Sequence, residues 1–161
     1  MTETHVRKIE QDGNPALLFE RHYPHGVERV WEALTDPAQL GRWFPCEVRL
    51  HLVPGGTITF LFPGEEPETG TVTEVDAPTV FAFSWAGEEL RWTLSPDDSG
   101  EGSGCVLRLV NTIADPAWAP NTAAGWDSCL GALDAVLEGR TPQAHAQPDD
   151  SVIEGWRTAL R

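Results

Sequence analysis

The sequence predicts an α+β fold, in which an antiparallel sheet of about seven strands is covered by one long C-terminal helix. Residues 125–139 place Trp126, Leu130, Leu133 and Leu137 at i, i+4, i+7 and i+11, and Cys129 and Val136 widen the same helical face. Between residues 47 and 113 the apolar period falls to about two, in six segments parted by proline, glycine and aspartate turns. A sheet with one apolar face needs a cover, and only the helix over 123–137 is long enough to supply it.

Residues 1–14 are polar and end in the turn signal Asp12-Gly13-Asn14-Pro15, so the first strand is placed at 16–23. There Leu17, Phe19 and Arg21 alternate with Leu18 and Glu20, and Pro24-His25-Gly26 ends the run. Val27, Val30, Trp31 and Leu34 then recur at helical spacing; Asp36-Pro37 breaks that helix and starts a second, short one over 38–44. Strands follow at 47–52, 57–62, 70–75, 80–85, 89–94 and 105–113, with short turns that describe an antiparallel meander. Gly139 and Pro142 stop the long helix. Residues 140–148 read as a polar linker, and Asp149-Asp150-Ser151 caps a last helix with Val152, Ile153, Trp156 and Leu160 on one side. About ten residues are marginal as an isolated helix, so this one is expected to dock on the body or on a partner.

The 161 residues suit one domain, 1–161, with its core at about 16–139. A formal net charge of -14 makes nucleic acid and anionic membrane poor partners, because both demand a cationic surface. No run is long and apolar enough for a membrane span, and Met1-Thr2-Glu3-Thr4-His5 lacks a signal pattern, so a cytoplasmic location is expected. Cys46, Cys105 and Cys129 are odd in number and widely spaced, which favours buried free thiols over disulfides or zinc. His22 and His25 lie outside a helix with no third ligand in reach, so no metal is expected, and no cofactor motif is present. Ser84 and Ser128 lack a nucleophile elbow, and no catalytic set is assigned.

The run Val30-Trp31-Glu32-Ala33-Leu34-Thr35-Asp36-Pro37, Trp43 shortly after it, the strand and turn from Gly70 to Pro78, a strand ending in Trp85, and the glycine-tryptophan helix over 125–139 occur in that order. As a set they resemble the START-like (SRPBCC) superfamily, and within it the bacterial branch related to the activator of the heat-shock-protein-90 ATPase. The resemblance implies a helix-grip fold, with a curved sheet wrapped around the long helix and a cavity between them. It implies a role in binding apolar molecules; some members of the superfamily are cyclases, aromatases or hydrolases, and others bind a chaperone, which brings in a stress-response role.

For such a cavity the candidate ligand-binding residues are Trp43, Phe60, Phe62, Phe83, Trp85, Trp92, Trp126 and Leu130. Taken singly each reads as plain core; as a cluster in a chain with seven tryptophans they point to a pocket for a small hydrophobic, aromatic or lipid-like molecule. Entry is expected between Asp36-Pro37 and the start of the long helix, with Trp126 to Leu130 as cavity wall and Leu133 to Leu137 as solid core. Arg49, His51, Glu74, Arg91 and Asn111 are the strand polar groups that could orient a ligand, although alternation favours the solvent side for all five. Two other readings stay open. One is an enzyme of the cyclase or hydrolase kind, with Glu74, His51 and Asp127 as nearest acid-base candidates; the other is a chaperone-associated module with a protein partner or a second copy on the tail.

Overall fold

A computed structural model describes residues 4–97, 104–142 and 149–160. The polar N-terminal stretch forms a strand, β1 (His5–Gln11), which pairs with β2 (Asn14–Tyr23). The sheet therefore has eight strands where seven were expected. Asp12-Gly13, expected as the end of a tail, is a hairpin turn with φ of 53° and 80°, both positive as a type I′ turn requires. β1 escapes a periodicity search because it is an edge strand whose two partly buried apolar residues, Val6 and Ile9, fall on opposite faces.

Two short helices follow, α1 (Val27–Thr35) and α2 (Pro37–Trp43), joined where expected. Asp36 separates them by capping α2, its carboxylate accepting from the Ala38 N–H at 3.2 Å. The Trp43 indole N–H donates to the Ala33 carbonyl at 2.8 Å, which locks α2 against α1. The pair carries the chain across to the far edge of the sheet, where β3 (Glu47–Leu50), β4 (Thr57–Leu61), β5 (Glu68–Asp76), β6 (Val80–Trp85), β7 (Glu88–Asp97) and β8 (Gly104–Thr112) return as a meander. The order across the sheet is β1-β2-β8-β7-β6-β5-β4-β3, every neighbour antiparallel. A register shift between Val72 and Glu74 makes a bulge in β5, which adds local bend and twist. The end of the turn expected at 96–100, from residue 98 on, lies outside the described residues, as does most of the expected linker.

The long helix α3 (Ala119–Leu137) starts four residues earlier than 123, because Pro120 stands in its first turn, where a missing N–H costs nothing. Its inner face buries Trp126, Leu130, Leu133, Val136 and Leu137 against the sheet, each contributing roughly 1.5–3 kcal/mol by leaving water. Polar ties set its orientation. The Tyr23 hydroxyl donates to the Leu130 carbonyl at 2.9 Å, and Arg29 on α1 donates to the Val136 carbonyl at 3.0 Å. Arg21 faces inward beside Leu17 and Phe19, as its alternation requires, and forms an ion pair with Asp134 of α3. α4 (Asp150–Ala159), capped by the Asp149 carboxylate on the Val152 N–H at 3.0 Å, lies against α3, and Leu160 just beyond it is buried in the core.

Cys46, Cys105 and Cys129 are free and buried. Burial pushes the thiols of Cys46 and Cys105 up to about 11 and that of Cys129 up to about 12. No described helix is long and apolar enough to cross a membrane.

Candidate functional site

Between the N-terminal half of α3 and the β6–β7 hairpin lies a solvent-open cleft of about 280 Å³. Its apolar walls are Trp85, Leu90, Trp118, Trp126, Cys129 and Pro45. Its polar groups are Glu68, Glu88, Asn111 and Thr122.

Local sequence explains how each wall is placed. Ala86 and Gly87, with φ of 54° and 80°, make a tight hairpin that sets Trp85 directly across from Glu88. Trp118 closes a short 3-10 turn, Pro116–Trp118, whose first residue follows Asp115; the Asp115 carboxylate accepts from the Ala117 N–H at 3.0 Å and fixes the turn. Trp118 is 60% exposed, an unusual state for so large an apolar residue, and it borders the open side of the cleft. Trp126 is one helical turn beyond Thr122, so both face the cleft from α3.

The polar side of the cleft is a connected chain. Asn111, almost fully buried on β8, accepts from the Trp126 indole N–H at 2.8 Å and donates to Glu88 at 3.1 Å and to the Thr112 carbonyl at 2.7 Å. The second oxygen of Glu88 accepts from the Ala114 backbone N–H at 3.0 Å. Glu88 is thus held by two neutral donors, with no cationic side chain paired to it among the described residues. The buried indole N–H of Trp85 finds no acceptor among the described residues.

Of the eight aromatic and apolar candidates, Trp85 and Trp126 line this cleft. Trp43, Phe60, Phe83, Trp92 and Leu130 are fully buried behind it, and Phe62 is half-buried beside Trp85, with ring centroids 6.2 Å apart. The reason is mutual packing. Trp92 meets Trp43 and Trp126 edge to face at 5.6 and 5.3 Å, and Phe60 stacks on Trp85 at 3.9 Å, so the rings fill space with one another. Leu130 packs into the core, whereas Cys129, its neighbour on α3, faces the cleft. Asp36 and Pro37 do not line it; Pro45, beyond the end of α2, does.

Among the polar candidates, Arg91 and Glu74 pair with each other on the outer face at 3.0 Å, and Arg49 and His51 are exposed. Asn111 departs from the solvent-side expectation, because it shares the parity of Leu107 and Leu109, whose side chains are core. That parity was the signal that could have found it. Glu88 and Trp118 were missed altogether; the hairpin partner of Trp85, and a tryptophan directly after an aspartate-proline turn, are the features that mark them. His22 bonds Asp97 at 2.8 Å on the outer face, and no cluster of three metal-ligating side chains occurs among the described residues.

An eight-stranded curved antiparallel sheet gripping a long C-terminal helix, with an aromatic cleft at one end of that helix, defines a helix-grip protein, a fold known for binding ligands. The chain belongs to the family described as activator of Hsp90 ATPase homolog 1-like protein, whose model matches residues 24–138, within the START-like (SRPBCC) superfamily. All the cleft residues fall inside that span. Among solved structures the chain is similar to CalU16 from Micromonospora echinospora, at 21% identity and a TM-score of 0.70, over 99% of this chain and 96% of that one. It is also similar to a conserved protein of unknown function from Enterococcus faecalis, at 19% identity and a TM-score of 0.71, over 97% and 89%. A Mesorhizobium loti protein matches at 20% identity and a TM-score of 0.67, over 77% and 97%. At these identities the likeness is one of fold. No curated protein matches the chain.

Proposed function

We propose that this protein binds a small aromatic or otherwise hydrophobic molecule in the cleft between Trp85, Trp118 and Trp126, as a single START-like domain that includes α4. The observation that carries the reading is the cleft itself, about 280 Å³ walled by three indoles and floored by the bonded Asn111–Glu88 pair. An apolar cavity of about 150 Å³ suffices for benzene, so this volume suits a bicyclic ring or a phenyl group with a short chain. The exposed Trp118 ring supports the same reading, since burying it beneath a ligand removes apolar surface from water.

Protein-observed NMR with a set of small aromatic compounds tests this. The expected result is amide and indole shifts confined to residues 85–90, 111–118 and 122–129. Shifts scattered over the outer face of the sheet, or none with any compound, overturn the reading.

A further inference from the structure

The charge of the cleft narrows the ligand further. Among the described residues its lining includes two carboxylates, Glu68 and Glu88, and no lysine, arginine or histidine. Several carboxylates elsewhere in the molecule are paired with arginine: Asp134 with Arg21 beside the core, and on the outer face Glu20 with Arg108 and Glu74 with Arg91. The two in the cleft have no such partner among the described residues. Glu88 is held in place by Asn111 and the Ala114 N–H, which orient the carboxylate without cancelling its charge. Glu68 stands exposed at the rim.

The walls have the same sign preference. The face of an indole ring is the negative end of its quadrupole and attracts a cation, most strongly for tryptophan and most where water is excluded. Three indoles and two uncompensated carboxylates around one cleft make an electrostatic trap for positive charge. A carboxylate or phosphate ligand meets no cation there and must give up its hydration to enter. The chain as a whole, at -14, also draws cations toward its surface.

Resting on the binding function proposed above, we propose that the cleft of Trp85, Trp118, Trp126, Glu68 and Glu88 is selective for an organic ammonium, a positively charged amine carried on an aromatic or apolar body. The apolar body lies against Leu90 and the indole walls, and the ammonium is drawn to Glu88 with Trp118 over it.

Three ligands that share one body separate charge preference from binding itself: phenylbutylamine, phenylbutanol and phenylbutyrate, titrated by calorimetry into the intact protein at neutral pH. The amine should bind at least about five-fold more tightly than the alcohol, with the carboxylate weakest. Glu68→Gln, at an exposed residue where the fold is not at stake, should reduce that ratio. Glu88→Gln should reduce it further, provided its circular dichroism and melting match the parent. Trp118→Ala should weaken all three ligands together. An alcohol that binds as well as the amine, or an unchanged ratio in Glu68→Gln and a folded Glu88→Gln alike, overturns the charge selectivity and leaves the cleft as a hydrophobic site. Failure of all three ligands to bind, or affinities untouched by Trp118→Ala, overturns the cleft reading and the selectivity with it.

Discussion

Replacing Asn111 by alanine should be costly out of proportion to the few atoms removed. The side chain is 2% exposed and makes three hydrogen bonds, to the Trp126 indole N–H, to Glu88 and to the Thr112 carbonyl. Without it the Trp126 N–H, buried between β8 and α3, loses its acceptor, a loss of roughly 1–3 kcal/mol. The bond to Glu88 involves a charged group and is worth about 1.5–3 kcal/mol. The cleft is open, so water can enter and replace part of both, which leaves a net loss of about 3 kcal/mol. For a domain of this size that lowers Tm by roughly 6–12 °C. Urea unfolding followed by tryptophan fluorescence measures it, and a double-mutant cycle with Trp126→Phe isolates the Trp126 share, expected at about 1 kcal/mol or more. An Asn111→Ala variant within about 0.5 kcal/mol of the parent, or a coupling energy near zero, refutes the argument that this residue joins helix to sheet through the indole.

Three further outcomes follow from the same reasoning. Asp134→Asn strands the Arg21 charge, which is 7% exposed and has an unbonded Nε; since Asp134 is itself 26% exposed, the loss should fall near the lower end of the range for broken buried pairs, about 3 kcal/mol, and the apolar double replacement Arg21→Met with Asp134→Leu should recover most of it in denaturant titrations. Leu160→Ala should cost about 2 kcal/mol and speed amide exchange throughout α4, whereas a tail that serves only an outside partner would leave global stability unchanged. The carboxylate of Asp97 beside His22 raises the imidazole above its ordinary 6.5, so the pair's small stabilising contribution is complete below that value and fades as pH climbs through the raised pKa; NMR titration should find this upward shift, and Asp97→Asn should abolish most of it.

The fold was readable because its signals are local and repeated. Period-two runs separated by proline and glycine turns located β2 through β8 to within a few residues, and the stripe from Trp126 to Leu137 identified the one helix able to cover them. What failed locally was β1, whose apolar residues do not alternate because an edge strand buries little on either face. The first turn of α3 failed for a different reason: proline there looks like a breaker unless its position in the turn is known. Locating the cleft is harder, because whether an aromatic ring lines a void or fills one depends on its neighbours. Trp92 and Trp126 are equally apolar and even touch, yet only Trp126 reaches the opening. Sequence periodicity says which way a ring points and nothing about whether another ring already occupies the space in front of it.

The three buried thiols carry a practical consequence. At pH 8 a thiol of pKa about 11 is ionised in only about one molecule in a thousand, and the thiolate is the species that alkylating reagents attack. Cys129, though it borders the cleft, is pushed still higher. Buried and with raised pKa values, the three thiols should react only slowly with maleimide in the native protein. A Thr122→Cys replacement on α3 would place a fluorophore beside the cleft with all three indoles kept, so that occupancy could be followed in real time by its emission.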